Sequence, residues 1–362
     1  EKFLEKSTNI FDTVKSILEN VRKNPKNEDF FKNDELSYLL INSFKNRKNE
    51  KQRQTIIFHD KLTPKIAISY HLHNSKIIED EFELQQSMYE KYGNTMIPEP
   101  LEIITIQNKK ILIRKAIPGS DCELILSRNP SNHYIENIVK KIINFHNQLN
   151  SKLENSTFEK FENEINMLST NFISTYQPDH DETQIIENCI DFILNNFKNK
   201  PIFERFSNGD FILRNLILHD DTIHLIDFEH GEKTHLYFLE WFRFFKFQAS
   251  IPTNYFYKII EKISNDNTIL MSAKDFSDFY TNDKNDVSFR LLFEIKNYLL
   301  QCSVQSQNNK EQLDNEMKNF LYTITNRLNE THQTIDSEIM SLHTLESKFL
   351  YSKHYGEIKE DL

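Results

Sequence analysis

Cysteine and long apolar runs are scarce in this sequence, and each scarcity excludes a class of protein. The three cysteines, Cys122, Cys189 and Cys302, are far apart and odd in number, so neither a disulfide framework nor a cysteine-based metal site is predicted. No run of about 18 apolar residues occurs, and a transmembrane helix is therefore not expected. We expect a protein of the reducing cytoplasm.

An excess of basic residues is also lacking, and this argues against one class of partner. Lysine and arginine total 44 against 54 aspartates and glutamates, a formal net charge of -10. Nucleic-acid binding depends on clustered basic side chains that displace counterions from phosphates. Nucleic acid is therefore not an expected partner, whereas cationic or neutral molecules fit an acidic chain better.

Apolar and aromatic residues, by contrast, are sufficient for a large core. Hydrophobic residues make up 38% and charged residues 27% of the 362 positions, and there are 29 phenylalanines and 14 tyrosines. These proportions are typical of soluble globular proteins. The length favours two lobes or domains over a single compact unit.

Four segments of the chain differ in their apolar pattern. Residues 1–45 predict an amphipathic helical extension. Residues 46–118 hold short β-rich runs and one helical stretch, SKIIEDEFELQQSMYEKYG, which predict a small sheet with one helix. Residues 119–308 are mostly helical, and in residues 309–362 apolar side chains recur mostly every three or four positions. This last segment predicts either helices packed on their own lobe or a coiled coil that forms a homo-oligomer.

One predicted hairpin interrupts the helices. The runs FILRNLILHD and TIHLIDFEH are typical of two short strands joined by a turn at Asp220 and Asp221. Asp210, Asn215 and Asp227 are set into these runs, where bare carboxylates on adjacent strands would repel one another. A divalent cation would remove that repulsion, and aspartates hydrogen-bonded within turns are the alternative interpretation.

The stretch NGDFILRN followed by LIDFE resembles the catalytic loop and metal-binding segment of aminoglycoside phosphotransferase and choline kinase-like enzymes, and the resemblance covers roughly residues 45–250. It implies an α+β, two-lobed protein kinase-like fold, with a small amino-terminal lobe of sheet plus helix and a larger, mostly helical carboxy-terminal lobe. It also implies a Mg²⁺-dependent phosphotransferase that moves the γ-phosphoryl group of ATP or GTP to a hydroxyl group.

The same resemblance implies roles for individual residues. Asp210 would be the catalytic base or the carboxylate that orients the hydroxyl, and Asn215 and Asp227 would be metal ligands. The hinge between the lobes would bind the nucleobase through the backbone of Arg114, Lys115, Ala116 and Ile117.

The predicted nucleotide lobe departs from the family at Ser69. The family usually carries a lysine there, which neutralises phosphates and pairs with a helix glutamate, here Glu81 or Glu83. Serine cannot supply that charge, so a catalytically inactive pseudokinase or scaffold is an alternative function. A different strand register would also account for the serine, as would a substitute charge from one of the nearby lysines, Lys51, Lys65 or Lys76.

Two further positions differ from the family but keep suitable chemistry. Asn208 stands where a histidine usually braces the catalytic loop, and an amide can also brace it through hydrogen bonds. Glu240 stands where many relatives have an aspartate that holds the catalytic loop from behind.

The acceptor is less well defined by the sequence. The stretch IDFEHGEKTHLYFLEWFRFF resembles relatives that act on bacterial cell-surface glycans, which favours a sugar or glycan hydroxyl. The acidic total favours the alternative, a cationic small molecule such as an aminoglycoside or an amino alcohol.

Overall fold

The computed structural model describes residues 15–19, 36–42, 53–71, 75–106, 108–128, 131–247, 283–304 and 310–330. The strands are β1 Leu36–Asn42, β2 Arg53–Asp60, β3 Thr63–His71, β4 Pro100–Ile106, β5 Lys109–Lys115, β6 Ser120–Asp121, β7 Glu154–Ser156, β8 Ile202–Ser207, β9 Leu216–His219, β10 Thr222–Leu225 and β11 Glu232–Thr234. The helices are α1 (15–19), α2 Ser75–Tyr92, α3 Cys122–Ser127, α4 Asn132–Asn150, α5 Phe158–Tyr176, α6 His180–Phe197, α7 Glu240–Phe247, α8 Asp283–Val304 and α9 Lys310–Glu330.

The small lobe is a five-stranded antiparallel sheet in the order β1-β2-β3-β5-β4, with α2 packed on β3, β4 and β5. Its own core consists of buried side chains from α1 and the sheet, namely Ile17, Ile56, Phe58, Ile66, Ile68, Tyr70, Ile111 and Ile113. Because side chains alternate along a strand, the other face of β3 carries Ala67, Ser69 and His71. The predicted sheet with one helix is therefore confirmed.

Strand β1 corrects the prediction that residues 1–45 are helical. Residues 15–19 do form a helix, but Leu36–Asn42 pairs antiparallel with β2, Leu39 lying opposite Ile57. A short apolar run such as LSYLLIN does not distinguish strand from helix by its periodicity, and here pairing with β2 decides the outcome. The rest of residues 1–45 lies outside the described residues.

The chain passes from the small lobe to the large lobe at Gly119. The next two residues form β6, which pairs with β9 in the large lobe. Gly119 has φ +158°, and a Cβ atom there would lie 2.4 Å from the carbonyl oxygen of Leu218. A side chain would therefore force the two segments apart.

The large lobe is mostly helical, as predicted, and its helices enclose one core. Helix α4 runs from Asn132 to Asn150, with Ser131 as its N-cap. Its buried apolar face belongs to the same core cluster as side chains of α5, α6 and α8, and the helix contacts β10. In the part of the chain that the structure describes, no helix is both long and apolar enough to cross a membrane.

Helix α9 packs against its own lobe. Leu313, Met317, Leu321 and Ile324 are buried in the same core cluster as residues of α6 and α8. This supports the prediction of a helix packed on its own lobe over that stretch. The apolar positions beyond residue 330, on which the coiled-coil alternative also rested, lie outside the described residues.

Candidate active site

The predicted hairpin is confirmed, and it consists of β9 and β10. His219 pairs with Thr222 and Leu216 with Leu225. Asp220 and Asp221 have φ values of +43° and +67°, as in the two-residue turns whose twist matches that of the strands they join. The turn therefore holds β9 and β10 in a defined register.

The first strand of this hairpin is shorter than predicted. It begins at Leu216, and Leu213–Asn215 forms a turn of 3₁₀ helix instead. Phe211 and Leu213 are buried in the large-lobe core, so the apolar run belongs to a packed loop. Such a run cannot be distinguished from a buried strand by its pattern alone.

The structure brings Asp210, Asn215 and Asp227 together. Asn215 Nδ2 donates to the backbone oxygen of Asp210 at 2.9 Å and to its Oδ2 at 3.1 Å. The backbone N–H of Ile226 donates to the Asn215 carbonyl at 2.9 Å, which places Asp227 next to that turn. The turn and the hairpin thus place these three residues next to one another in space.

Asn208 braces this arrangement, as predicted. Its Oδ1 accepts from the Asp210 N–H at 3.3 Å, and its Nδ2 donates to the Asp227 carbonyl at 3.4 Å. The side chain is fully buried. One amide therefore connects the two segments that carry the candidate carboxylates.

The backbone around the site adopts conformations that few residue types tolerate. Asp227 has φ +65°, a left-handed conformation that aspartate adopts more readily than most residues. Gly209 has φ +70°, and a Cβ atom there would lie 2.0 Å from the His230 carbonyl oxygen. Glycine at 209 therefore lets the loop before Asp210 pack directly against the segment after Asp227.

Glu240 holds the loop from behind, which confirms its predicted position. Its Oε1 accepts from Ser207 Oγ at 2.6 Å, and Ser207 Oγ in turn accepts from the Gly209 N–H at 3.2 Å. Its Oε2 lies 3.1 Å from His146 Nε2 and accepts from Arg205 Nη2. All of these side chains are buried.

Opposing effects set the protonation of this buried cluster. Burial alone would raise the pKa of Glu240, but the Arg205 guanidinium and the hydrogen bonds from His146 and Ser207 lower it to about 2. Burial lowers the pKa of His146 below its usual value, and Arg205 lowers it further, against the opposing effect of Glu240. Glu240 is therefore a carboxylate and His146 is neutral at pH 7.

Arg243 is a site residue that the sequence reasoning missed. From α7 its Nε donates to Asp210 Oδ1 at 2.5 Å, and its Nη1 donates to Asn297 Oδ1 at 3.3 Å. The signal in the sequence was a single arginine within the aromatic run EWFRFF, one helical turn after Glu240.

In the small lobe, the structure joins Ser69 and Glu81 through Arg114. Arg114 Nη1 donates to Glu81 Oε1 at 2.9 Å, and Nη2 donates to Ser69 Oγ at 3.2 Å. Arg114 also contacts Gln85 Oε1 at 3.4 Å. The guanidinium therefore links β5, β3 and α2 at one point.

The predicted hinge is corrected in part. Arg114 lies inside β5, opposite Ala67 of β3, so it belongs to the sheet and not to the connection between the lobes. The N–H groups of Lys115 and Ala116 donate to the carbonyls of Glu99 and Lys65 at 2.9 and 3.0 Å. Those two donors are used within the lobe and do not serve a nucleobase, whereas a contact through Ile117 or through the carbonyls stays a prediction.

No family model matches the sequence, and no curated protein matches it. The structure is similar to a thermostable mutant of aminoglycoside phosphotransferase APH(4)-Ia, with a TM-score of 0.54 and 10% identity over 82% of this chain and 98% of that one. It is also similar to the gentamicin complex of APH(2")-IIa, with a TM-score of 0.52 and 14% identity over 85% and 95% of the two chains. The chain has the aminoglycoside phosphotransferase fold. At these identities the likeness concerns the fold alone.

In this phosphotransferase fold the two lobes meet beside Asp227. His71 Nε2, on β3, lies 3.2 Å from Glu229 Oε1. A Cβ atom on Gly231 would lie 1.8 Å from Leu84 Cδ2 of α2. The segment after Asp227 therefore contacts both the strand and the helix of the small lobe.

Asn215 and Asp227 could hold a magnesium ion. Both side chains offer oxygen atoms, which Mg²⁺ prefers, and Mg²⁺ in proteins is commonly held by one or two carboxylates together with substrate phosphates. Among the described residues, no group of three or more histidine, cysteine, aspartate or glutamate side chains could hold a metal ion. One carboxylate and one amide leave coordination positions that water or substrate phosphates would fill.

Proposed function

We propose that this protein is a Mg²⁺-dependent phosphotransferase that moves the γ-phosphoryl group of ATP or GTP to a hydroxyl of a sugar or glycan. The observation that carries the proposal is the convergence of Asp210, Asn215 and Asp227 on one turn and hairpin, braced by Asn208. The phosphotransferase fold supports it. Catalysis of this kind depends on positioning and electrostatic stabilisation.

Asp210 would act on the acceptor. Its carboxylate would orient the hydroxyl and take its proton while the acceptor oxygen bonds to the γ-phosphorus. The bond from the γ-phosphorus to the bridging oxygen breaks at the same time, and its electron pair leaves with the nucleoside diphosphate. The hydrogen bonds from Asn215 and Arg243 fix the carboxylate for this role.

Asn215 and Asp227 would hold the metal-bound nucleotide. A bound Mg²⁺ supplies neutralisation of phosphate charge. The buried amide of Asn208 and the backbone hydrogen bond from Ile226 to Asn215 keep the two ligands at a constant separation. The ligands are therefore preorganised, so little ordering is needed when the nucleotide binds.

Arg243 favours a neutral sugar hydroxyl over a cationic acceptor. Its guanidinium lies against the carboxylate that would meet the acceptor, and a cationic group brought to the same place would be repelled. The net charge of -10 points the other way, but charges beyond a screening length of about 8 Å contribute little at physiological salt. The electrostatic effect of Arg243 on an acceptor is therefore larger than the effect of the net charge of the chain.

Ser69 favours a second candidate function, an inactive pseudokinase or scaffold. The two candidates differ in nucleotide binding and turnover. The purified protein is titrated with Mg-ATP and Mg-GTP in a thermal-shift assay, because a ligand of the native state raises the melting temperature. Phosphoryl transfer to neutral sugars, oligosaccharides and aminoglycosides is then measured. A stabilised protein that phosphorylates a sugar supports the proposal, whereas no response to either nucleotide contradicts it.

A further inference from the structure

We infer that Arg114 supplies, from β5, the phosphate-binding positive charge that position 69 of β3 lacks. The guanidinium, held by Glu81 and Ser69, would contact the phosphates of the nucleotide. The inference rests on the proposed function and identifies the residue on which nucleotide affinity depends.

The register of the sheet explains how an arginine on β5 reaches the position. Arg114 lies directly opposite Ala67 in the β3–β5 ladder. Opposed residues point to the same face, and Ser69 lies two residues further along that face. The long arginine side chain spans that step, and its Nη2 donates to Ser69 Oγ at 3.2 Å. A lysine at position 69 would place its charge in the same space.

The glutamate of α2 is engaged by the same guanidinium. Glu81 Oε1 accepts from Arg114 Nη1 at 2.9 Å, and the two residues are only 1% and 5% exposed. A buried ion pair adds little to stability on balance, because desolvation of both charges offsets their attraction. A gain in folding stability therefore does not by itself explain why Arg114 and Glu81 are buried together. Its position at the junction of β3, β5 and α2 suggests that the charge serves a ligand.

The pair lies on the side of the small lobe that meets the candidate metal ligands. His71 follows Ser69 by two residues on the same face of β3, a distance of about 7 Å along a strand. His71 contacts Glu229, which is two residues from Asp227. Arg114 and Asp227 therefore flank the same region between the lobes, and a chain of linked phosphates fits between a cation on one side and a metal ligand on the other.

The chemistry of arginine suits this ligand. A guanidinium stays protonated at any physiological pH and presents planar N–H groups that match phosphate oxygens. The contacts with Glu81 and Ser69 also reduce its rotational freedom before the ligand binds. The expected ligand class is a nucleoside di- or triphosphate with its metal.

The test compares nucleotide affinity between charge variants of β5. Isothermal titration with Mg-ADP and Mg-GDP measures affinity without requiring turnover. We expect Arg114→Gln to weaken binding of the preferred nucleotide about 10- to 100-fold, the usual effect of losing hydrogen bonds to a charged group. The double variant Ser69→Lys/Arg114→Gln should recover most of the affinity, since the lysine restores one cation beside Glu81.

Lys110→Gln is the matched control. Lys110 is also on β5 and also pairs with a glutamate of α2, Glu79, but this pair is partly exposed. The variant removes one positive charge from β5, four residues before Arg114, and breaks another pair between β5 and α2. Its nucleotide affinity should equal that of the unmodified protein, so any general effect of net charge or of β5–α2 pairing is separated from the effect at Arg114.

The outcomes separate the inference from the proposed function. If the unmodified protein binds neither nucleotide, the proposed function fails and the inference fails with it. If it binds and Arg114→Gln binds equally well, the inference alone is overturned. Loss of affinity that Ser69→Lys does not restore means that Arg114 is a structural support, which also overturns it. Circular dichroism checks whether Arg114→Gln folds. If it does not fold, Ser69→Lys/Arg114→Met is tested in its place. Nucleotide binding by this variant supports the inference, and a folded variant that does not bind nucleotide overturns it.

Discussion

Arg243 donates from its Nε to Oδ1 of Asp210 at 2.5 Å, so the candidate base is paired with a guanidinium from α7. The other carboxylate oxygen accepts from Asn215. Both residues are largely buried, with 16% and 20% of the Arg243 and Asp210 side chains exposed. The carboxylate is thus held from two sides, and an acceptor hydroxyl that approaches it must also approach Arg243.

Asp210→Asn should abolish most phosphoryl transfer while leaving nucleotide binding intact. An amide cannot take the hydroxyl proton, and general-base catalysis typically contributes about 10²- to 10⁴-fold to the rate. The measurement is initial velocity with the acceptor found in the transfer assay, alongside thermal shift with Mg-nucleotide. Asp221→Asn, an exposed turn aspartate of the same hairpin, is the control and should keep full activity. Equal velocities for the two variants would refute the role of Asp210.

Arg243→Gln should change which acceptors are used. Without the guanidinium, a cationic acceptor near Asp210 is no longer repelled, and like-charge repulsion in such a place is worth at least about tenfold in affinity. The ratio of kcat/KM for an aminoglycoside to kcat/KM for a neutral sugar should therefore rise by about that factor. Arg243→Lys keeps the charge and should keep the original ratio. If the glutamine and lysine variants show the same acceptor ratio, the charge of Arg243 does not select the acceptor.

Asp227→Asn should raise the Mg²⁺ concentration that nucleotide binding requires. Removing one anionic oxygen ligand weakens a metal site by about tenfold or more. A magnesium titration at constant nucleotide, followed by thermal shift, gives the midpoint for each protein. Asp220→Asn, in the hairpin turn, removes the same charge outside the site and serves as the control. A midpoint that does not move in Asp227→Asn would exclude that residue as a ligand.

Stability should fall as the pH drops below about 6.5, because of His146. Burial lowers the pKa of this histidine in the folded protein below the usual 6.5, so the unfolded chain takes up a proton in a range where the folded protein does not. The free energy of unfolding therefore decreases with decreasing pH. Urea denaturation at pH 7.5 and pH 5.5 measures the change. His146→Gln should lose part of this dependence, whereas His133→Gln, at an exposed position of α4, should retain it.

Glu240 should produce a second loss of stability at lower pH. Its pKa of about 2 in the folded protein lies below the usual 4.5, so its contribution is present above pH 4.5 and is lost as the pH falls towards 2. Glu240→Gln leaves buried Arg205 without its carboxylate partner, which should cost about 3 kcal/mol of unfolding free energy at pH 7. A loss below about 1 kcal/mol in urea denaturation would show that the Glu240 carboxylate contributes little to the stability of the loop before Asp210.

Local sequence determined much of this protein. Alternating and helical apolar periods predicted the strands and the helix of the small lobe within residues 46–118, the mostly helical large lobe, and the β9–β10 hairpin. Asp210, Asn215 and Asp227 were recognisable because their spacing is short and is set by one loop and one turn. These elements and site residues depend on neighbours only a few residues away in the sequence, so the sequence pattern is enough to predict them.

The tertiary structure decided what depends on distant partners. Arg114 reaches Glu81 and Arg243 reaches Asp210, each across 33 positions of sequence, and β1 is a strand only because β2 lies beside it. An arginine in a strand has the same local pattern whether it lines a hinge or fills the place of a lysine on the neighbouring strand. Sheet register and helix packing choose between these outcomes, because they determine which side chains share a face and which charges can be buried together.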